Sequence, residues 1–194
     1  KRGEPNFKMY WEDEIPKISS NLNGNKNVQV EIITGDYLDY SSPIAPKNSW
    51  ANNKKNDVAV WIIRLDSNGN FAIPNTKSGA KRNLYVLKGS NMEIDGQSIS
   101  GGSMVTLDSS KNTVIKNLGS KTKILMLQGV PINEPVVKYG PFVMNTRSEI
   151  EQAFYDYNRT EFGGWEWGNS DPVHGTEPEK FAKLISGKII KPGK

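Results

Sequence analysis

Val58 to Leu65 reads VAVWIIRL. A nearly continuous apolar run of this length, rich in β-branched residues, marks a β-strand covered on both faces. Upstream, Val28, Val30 and Ile32 alternate with Gln29 and Glu31, the period-two pattern of a half-buried strand. Downstream, short strands are expected at Leu84–Leu87, Asn91–Asp95, Met104–Leu107, Thr113–Lys116 and Lys123–Leu127. Turn chemistry separates them at Asn68-Gly69, Gly89-Ser90, Asp95-Gly96, Gly101-Gly102 and Gly119-Ser120. Many short strands with no helix between them predict a mainly β domain: a sandwich, a jelly roll or a closed antiparallel barrel. Tyr37 to Asn56, with Pro43, Pro46 and Lys54-Lys55, breaks the rhythm and reads as a long loop over one end of it.

After Gln128 the character changes. Gly129 to Pro141 is proline-bearing and extended, and Thr146-Arg147-Ser148-Glu149 is a capping box. The helix it starts places Ile150, Ala153, Phe154 and Tyr157 on one apolar stripe, with Arg159 near its end and Gly163-Gly164 closing it. Phe181, Leu184 and Ile185 suggest a second short helix. The expected organisation is a linker segment over 1–27, the barrel over 28–130, and a strap, helix and tail over 131–194.

Composition excludes several chemistries. With 194 residues and 36% hydrophobic content, the chain can bury a core of its own. It holds no cysteine, which removes disulfides, thiolate metal sites and a cysteine nucleophile. The single histidine, His174, sits in a Pro- and Gly-rich stretch and reads as an exposed loop residue; a metal using it with a nearby carboxylate is the minor reading. A Ser-His-Asp triad and a phosphate-binding glycine loop find no matching pattern. The net charge is +4, but Lys54, Lys77, Lys111, Lys121 and Lys188 are scattered, so a solvated surface is favoured over a nucleic-acid face. No apolar run is long enough to cross a bilayer, and residues 1–18 lack the apolar core of a secretory signal, so a cytoplasmic location is expected. Asn158-Arg159-Thr160 matches a glycosylation sequon and reads as a chance occurrence. Phe162, Trp165 and Trp167 form an aromatic cluster, read first as a hydrophobic plug and second as a recognition patch.

One stretch is more specific than these patterns. Gly129-Val-Pro-Ile-Asn-Glu-Pro-Val-Val-Lys-Tyr-Gly-Pro-Phe-Val-Met-Asn-Thr146, followed by Arg147-Ser-Glu-Ile150, closely resembles the signature of the pirin family's C-terminal domain. Val28–Gly35, Ser42-Pro43, Leu84–Gly89 and Ile124–Gly129 follow the order of that domain, and Lys8-Met9 resembles the segment joining the family's two halves. The resemblance implies a cupin-like barrel, the second of two in tandem. It also implies that the family's iron lies in an N-terminal cupin outside this chain, and that some members oxidise quercetin-like flavonols while others act as transcription cofactors.

Metal-bearing cupins carry an HxH and a glutamate just before the strand ending in YVLxG. Here that region is Asn75-Thr-Lys77-Ser-Gly-Ala-Lys-Arg82, so the resemblance implies a vacant site marked by Asn75, Lys77 and Arg82. A guanidinium only donates hydrogen bonds and repels a cation. No catalytic residue, metal or cofactor is therefore expected in this chain. Two function classes stay open. The chain either supports or caps a metal-bearing N-terminal cupin of a quercetin 2,3-dioxygenase-like enzyme, or it is a non-enzymatic interaction module. In either case the docking residues expected are Tyr139, Pro141, Phe142, Asn145, Ile150, Phe154, Tyr157 and Trp165, seated on the N-terminal cupin or, without it, on a second copy through self-association.

Overall fold

The computed structural model describes residues 7–20, 26–76, 79–164, 179–184 and 186–193. The chain divides into two units, Lys1–Pro131 and Ile132–Gly193.

The first unit is one curled antiparallel sheet. Its main strands are β1 (Lys17–Ser20), β2 (Lys26–Thr34), β5 (Ala59–Ile73), β6 (Lys81–Lys88), β7 (Met92–Ile94), β8 (Gln97–Ile99), β9 (Met104–Leu107), β10 (Thr113–Asn117) and β11 (Thr122–Gly129). They run in the order β8-β7-β10-β5-β11-β6-β9, with β2 on the other edge of β5 and β1 beyond it. The alternating residues of these strands meet inside the curl: Val30, Ile32, Ile63, Leu65, Phe71, Ile73, Leu84, Ile115, Ile124 and Met126 are all sealed from water. Each such side chain contributes about 1.5–3 kcal/mol relative to exposure.

The strand that decides the fold differs from its sequence reading in two respects. Ala59, Trp61, Ile63 and Leu65 are buried, whereas Val60, Ile62 and Arg64 are half-exposed, so the outer face is only partly covered. Asn68-Gly69, expected as a turn between strands, lies within a continuous 15-residue β5. The strand bends there instead of reversing. Ala59 to Leu65 pairs with β11, and Asn70 to Ile73 pairs with β10. Asn68 takes a left-handed φ of 56°, and a Cβ on Gly69 would stand 2.8 Å from the Asn27 carbonyl oxygen. The Asn-Gly signal is thus a corner: Asn68 tolerates the left-handed backbone, and Gly69 leaves room for the close Asn27 and Asp66 carbonyls.

Asn117 holds that corner from inside. Its buried amide donates to the carbonyls of Leu65 (3.2 Å), Asp66 (2.8 Å) and Ser120 (2.6 Å), and its oxygen accepts from the Thr122 hydroxyl at 3.0 Å. Carbonyls that a bend removes from the ladder need such partners.

The segment read as a long loop holds a short hairpin, β3 (Asp36–Tyr37) with β4 (Tyr40–Ser41), and two 3₁₀ turns, Trp50–Asn52 and Lys54–Asn56. Tyr37 leaves the loop for the core, its ring 5.1 Å from Trp61 and 5.5 Å from Phe71. The N-terminal stretch supplies β1, whose Ile18 joins the same core.

In the second unit, β12 (Val137–Tyr139) and β13 (Phe142–Met144) form a hairpin around Gly140-Pro141. Gly140 has φ 54°, the conformation a two-residue hairpin demands at its first central position. Helix α1 (Arg147–Thr160) follows, with the capping box formed: Thr146 Oγ1 accepts from the Glu149 N–H at 3.2 Å, and Glu149 Oε2 accepts from the Thr146 N–H at 3.1 Å. The helix ends earlier than the glycines suggest. Glu161 adopts the left-handed cap, its N–H returning to the Tyr157 carbonyl. The second helix expected around Phe181 to Ile185 is instead a small hairpin, β14 (Ala182–Lys183) with β15 (Ile189–Ile190), although Ile185 itself lies outside the described residues. Gly187, at φ 80°, turns the chain there and donates to the Leu184 carbonyl at 2.8 Å, so the short apolar run never completes a helical turn.

Candidate functional site

Arg82 lies on β6 in register with Leu84 and Val86, so its side chain enters the inside of the curled sheet. It is 2% exposed and leads the fully buried side chains of the described residues in volume. Across the ladder its partner is Gln128, next to the last residue of β11. The guanidinium Nε donates to Gln128 Oε1 at 2.7 Å, and Gln128 Nε2 donates to the Asp57 carbonyl at 3.2 Å. Asp57, in a left-handed conformation after the second 3₁₀ turn, accepts the Thr76 hydroxyl on its carboxylate. Burial pushes the Arg82 guanidinium below its ordinary pKa, and the Asp57 carboxylate opposes that shift. The Nη1 atom is buried and has no hydrogen-bond partner among the described residues.

Further polar contacts tie the neighbouring loops together. Ser109 Oγ donates to the Ala80 carbonyl, and the Thr76 N–H donates to the Ser109 carbonyl at 2.7 Å. Asn56 donates to the Trp50 carbonyl at 2.7 Å, while its own carbonyl receives the Val130 N–H at 2.7 Å.

Of the three residues of the expected vacant site, the structure describes Asn75 and Arg82, and these two do not converge. Asn75 is exposed and bound to the β9–β10 connection, its N–H donating to Asn112 Oδ1 at 2.8 Å. Lys77 lies outside the described residues. Arg82 occupies the interior, and the side chains sharing its face, Leu84, Val86, Ile124, Met126 and Ile63, are apolar. An iron ion does not fit this interior. Arg82 offers only donors and a positive charge where acceptors are required, and no cluster of His, Asp or Glu suited to a metal occurs among the described residues.

The described residues among those expected to dock differ in their surroundings. Phe142 and Phe154 are half-buried and meet edge-to-face at 4.8 Å; Tyr139 packs on Phe154 at 5.6 Å and Tyr157 on Phe142 at 6.2 Å. These aromatic contacts hold the β12–β13 hairpin against α1, each adding about 0.5–1.5 kcal/mol beyond area. Ile150, expected on an exposed stripe, is 4% exposed. Asn145 is used locally, its N–H donating to Glu149 Oε2 at 2.9 Å and its amide to Glu134, so it ties the strap to the helix start. Tyr139 (66% exposed), Tyr157 and Pro141 remain open to solvent. Sequence reasoning missed Tyr155 as a further exposed aromatic, and gave Phe162 to the tryptophan cluster. Phe162 meets Tyr157 edge-to-face at 5.4 Å and remains 63% exposed. Trp165, Trp167 and His174 lie outside the described residues.

Comparison with known proteins sets this geometry in a family. Residues 60–163 match the family described as the pirin C-terminal cupin domain. A putative quercetin 2,3-dioxygenase of Vibrio cholerae is 34% identical over 139 residues, covering 72% of this chain and 43% of the relative. The pirin-like protein of Solanum lycopersicum is 29% identical, covering 79% and 49%, and human pirin is 26% identical, covering 82% and 52%. Among solved structures, a quercetin 2,3-dioxygenase from Acinetobacter baumannii superposes with a TM-score of 0.63 at 28% identity, over 78% of this chain and 48% of that one. The chain spans about half the length of the curated relatives it matches. Among the described residues, no helix is long and apolar enough to cross a membrane.

Proposed function

The chain belongs to the pirin family, and from that premise we propose that it is a metal-free cupin that supports or caps a metal-bearing N-terminal cupin. The observation that carries this is Arg82. A barrel that spends its interior on a buried guanidinium, bonded to Gln128 across the ladder, is built against a cation at that place. In this reading the iron and any flavonol chemistry reside in the other cupin, and the cytoplasm is the compartment. The contribution of this half is to hold shape and to exclude water.

The second unit supplies the docking surface. Its aromatic cluster is locked from within by Phe142 and Phe154, and leaves Tyr139, Tyr157 and Phe162 facing solvent. Rigid aromatics presented on a hairpin and a helix suit an apolar interface. That same surface favours the second reading, an interaction module with a protein partner.

Two measurements separate the readings: iron content of the longest protein translated from the gene, and its oxygen uptake with quercetin. Stoichiometric iron with quercetin-dependent uptake supports the supporting-cupin reading. Iron-free protein that consumes no quercetin would overturn it in favour of the interaction module.

A further inference from the structure

The outer face of the sheet carries a basic cleft that the proposed role does not use. One rung crosses five strands there. The register places Ser19 beside Gln29, Gln29 beside Arg64, Arg64 beside Lys123, and Lys123 beside Lys88. Strands lie about 4.8 Å apart, so three cations stand side by side over about 10 Å. Like charges directly opposite each other destabilise a sheet. Arg64 is compensated by Glu31 at 2.6 Å. Lys121 reaches Asp66 at 3.4 Å, but that pair is largely solvent-exposed and contributes little. Lys88 and Lys123 meet no carboxylate among the described residues. Lys123, on the central strand of the row, therefore has a cation on either side.

Over this row lies a cleft of about 650 Å³ lined by Ser19, Gln29, Arg64, Lys88, Lys121 and Lys123, with Asp66 the one carboxylate on its wall. A concave wall with an excess of positive charge focuses the field and concentrates anions. A water occupies about 30 Å³, so the space exceeds what one tetrahedral oxyanion fills and admits several linked ones. Ammonium groups act as point charges towards phosphoryl oxygens, with no demand for the planar fork that a carboxylate favours.

We infer that this cleft binds a small polyanion carrying two or more phosphoryl groups, with Lys123 at its centre and Lys88 and Arg64 flanking. A bound polyanion neutralises this unfavourable row of like charges.

The test is calorimetric titration of the 194-residue chain at fixed ionic strength with three probes: sodium tripolyphosphate, a nucleoside diphosphate and sulfate. Tripolyphosphate should bind saturably and about tenfold or more tighter than sulfate. Replacing Lys88 and Lys123 together by Gln should remove that advantage, while Lys123→Arg retains it and Lys116→Gln, outside the cleft, changes nothing. Equal binding of the two phosphoryl probes means that charge alone is read. Tighter nucleoside diphosphate means that the organic group also sits in the cleft. Unliganded Lys123→Gln should melt at or above the parent temperature, since it relieves repulsion. Sulfate binding as tightly as tripolyphosphate, an unaffected double variant, or a lowered melting temperature for Lys123→Gln each overturns the inference.

Discussion

Arg82 and Gln128 face each other across the β6–β11 ladder and are joined inside the sheet by a 2.7 Å hydrogen bond from the guanidinium Nε. Gln128→Ala should therefore cost about 2 kcal/mol, because it leaves a buried charged donor unpaired. Arg82→Met should be milder, within about 1 kcal/mol, since it removes the desolvated charge together with its need for a partner. Denaturant unfolding of both variants checks the order. If Arg82→Met is the more damaging, the charge itself is needed, with Asp57 as its counterpart.

The same residue fixes a pH expectation. The folded pKa of Arg82 lies below its ordinary value because burial disfavours the cation. A depressed pKa in a cation means a stability penalty that is fully present below both values and is relieved only at strongly alkaline pH. Between about pH 5 and 9 the stability difference between parent and Arg82→Met should be flat. Parallel melts across that range test it, and a slope would point to another titrating group coupled to Arg82.

The corner of β5 rests on Asn117 and Gly69. Asn117→Ala leaves the Leu65 and Asp66 carbonyls without their side-chain donor and should cost about 3 kcal/mol. Gly69→Ala meets the Asn27 and Asp66 carbonyl oxygens at 2.8 and 2.9 Å, distances no Cβ tolerates, so it should destabilise the first unit. Hydrogen exchange on β5, β10 and β11 reports both. Unchanged protection at residues 65 to 73 would show that the corner is held elsewhere.

Thr146→Ala should cost helix α1 about 1 kcal/mol while leaving the sheet protected. Exchange that loosens β5 and spares residues 147–158 would contradict the cap.

The aromatics left exposed on the second unit should drive self-association when nothing covers them. Light scattering should give a mass above the monomer at high concentration, reduced by Tyr139→Asp or Phe162→Asp. A monomer throughout would show that this surface is not an interface between copies.

The strands and the capped helix were readable because their signals are local: period-two burial at Val28 to Ile32, and Thr146 three residues before Glu149. The corner at Asn68-Gly69 was not, since the same dipeptide serves a hairpin or a bend, and only the pairing of β10 beside β11 decides between them. The tail hairpin was misread as a helix because Phe181, Leu184 and Ile185 are too few to fix a period before Gly187 turns the chain. At the site, the position of Arg82 was readable from its neighbours in the YVL strand, but its tie to Gln128 needs a register no single sequence supplies. The basic rung escaped for the same reason: Arg64, Lys88 and Lys123 are scattered in sequence and become neighbours only through strand pairing.

The central proposal is that the buried Arg82 guanidinium keeps a metal out of this cupin. The direct measurement is elemental analysis of the purified chain after anaerobic incubation with ferrous iron and desalting. The account predicts no stoichiometric iron, and none gained at Arg82 by the parent chain. One tightly held iron per chain that resists a chelator wash would contradict it.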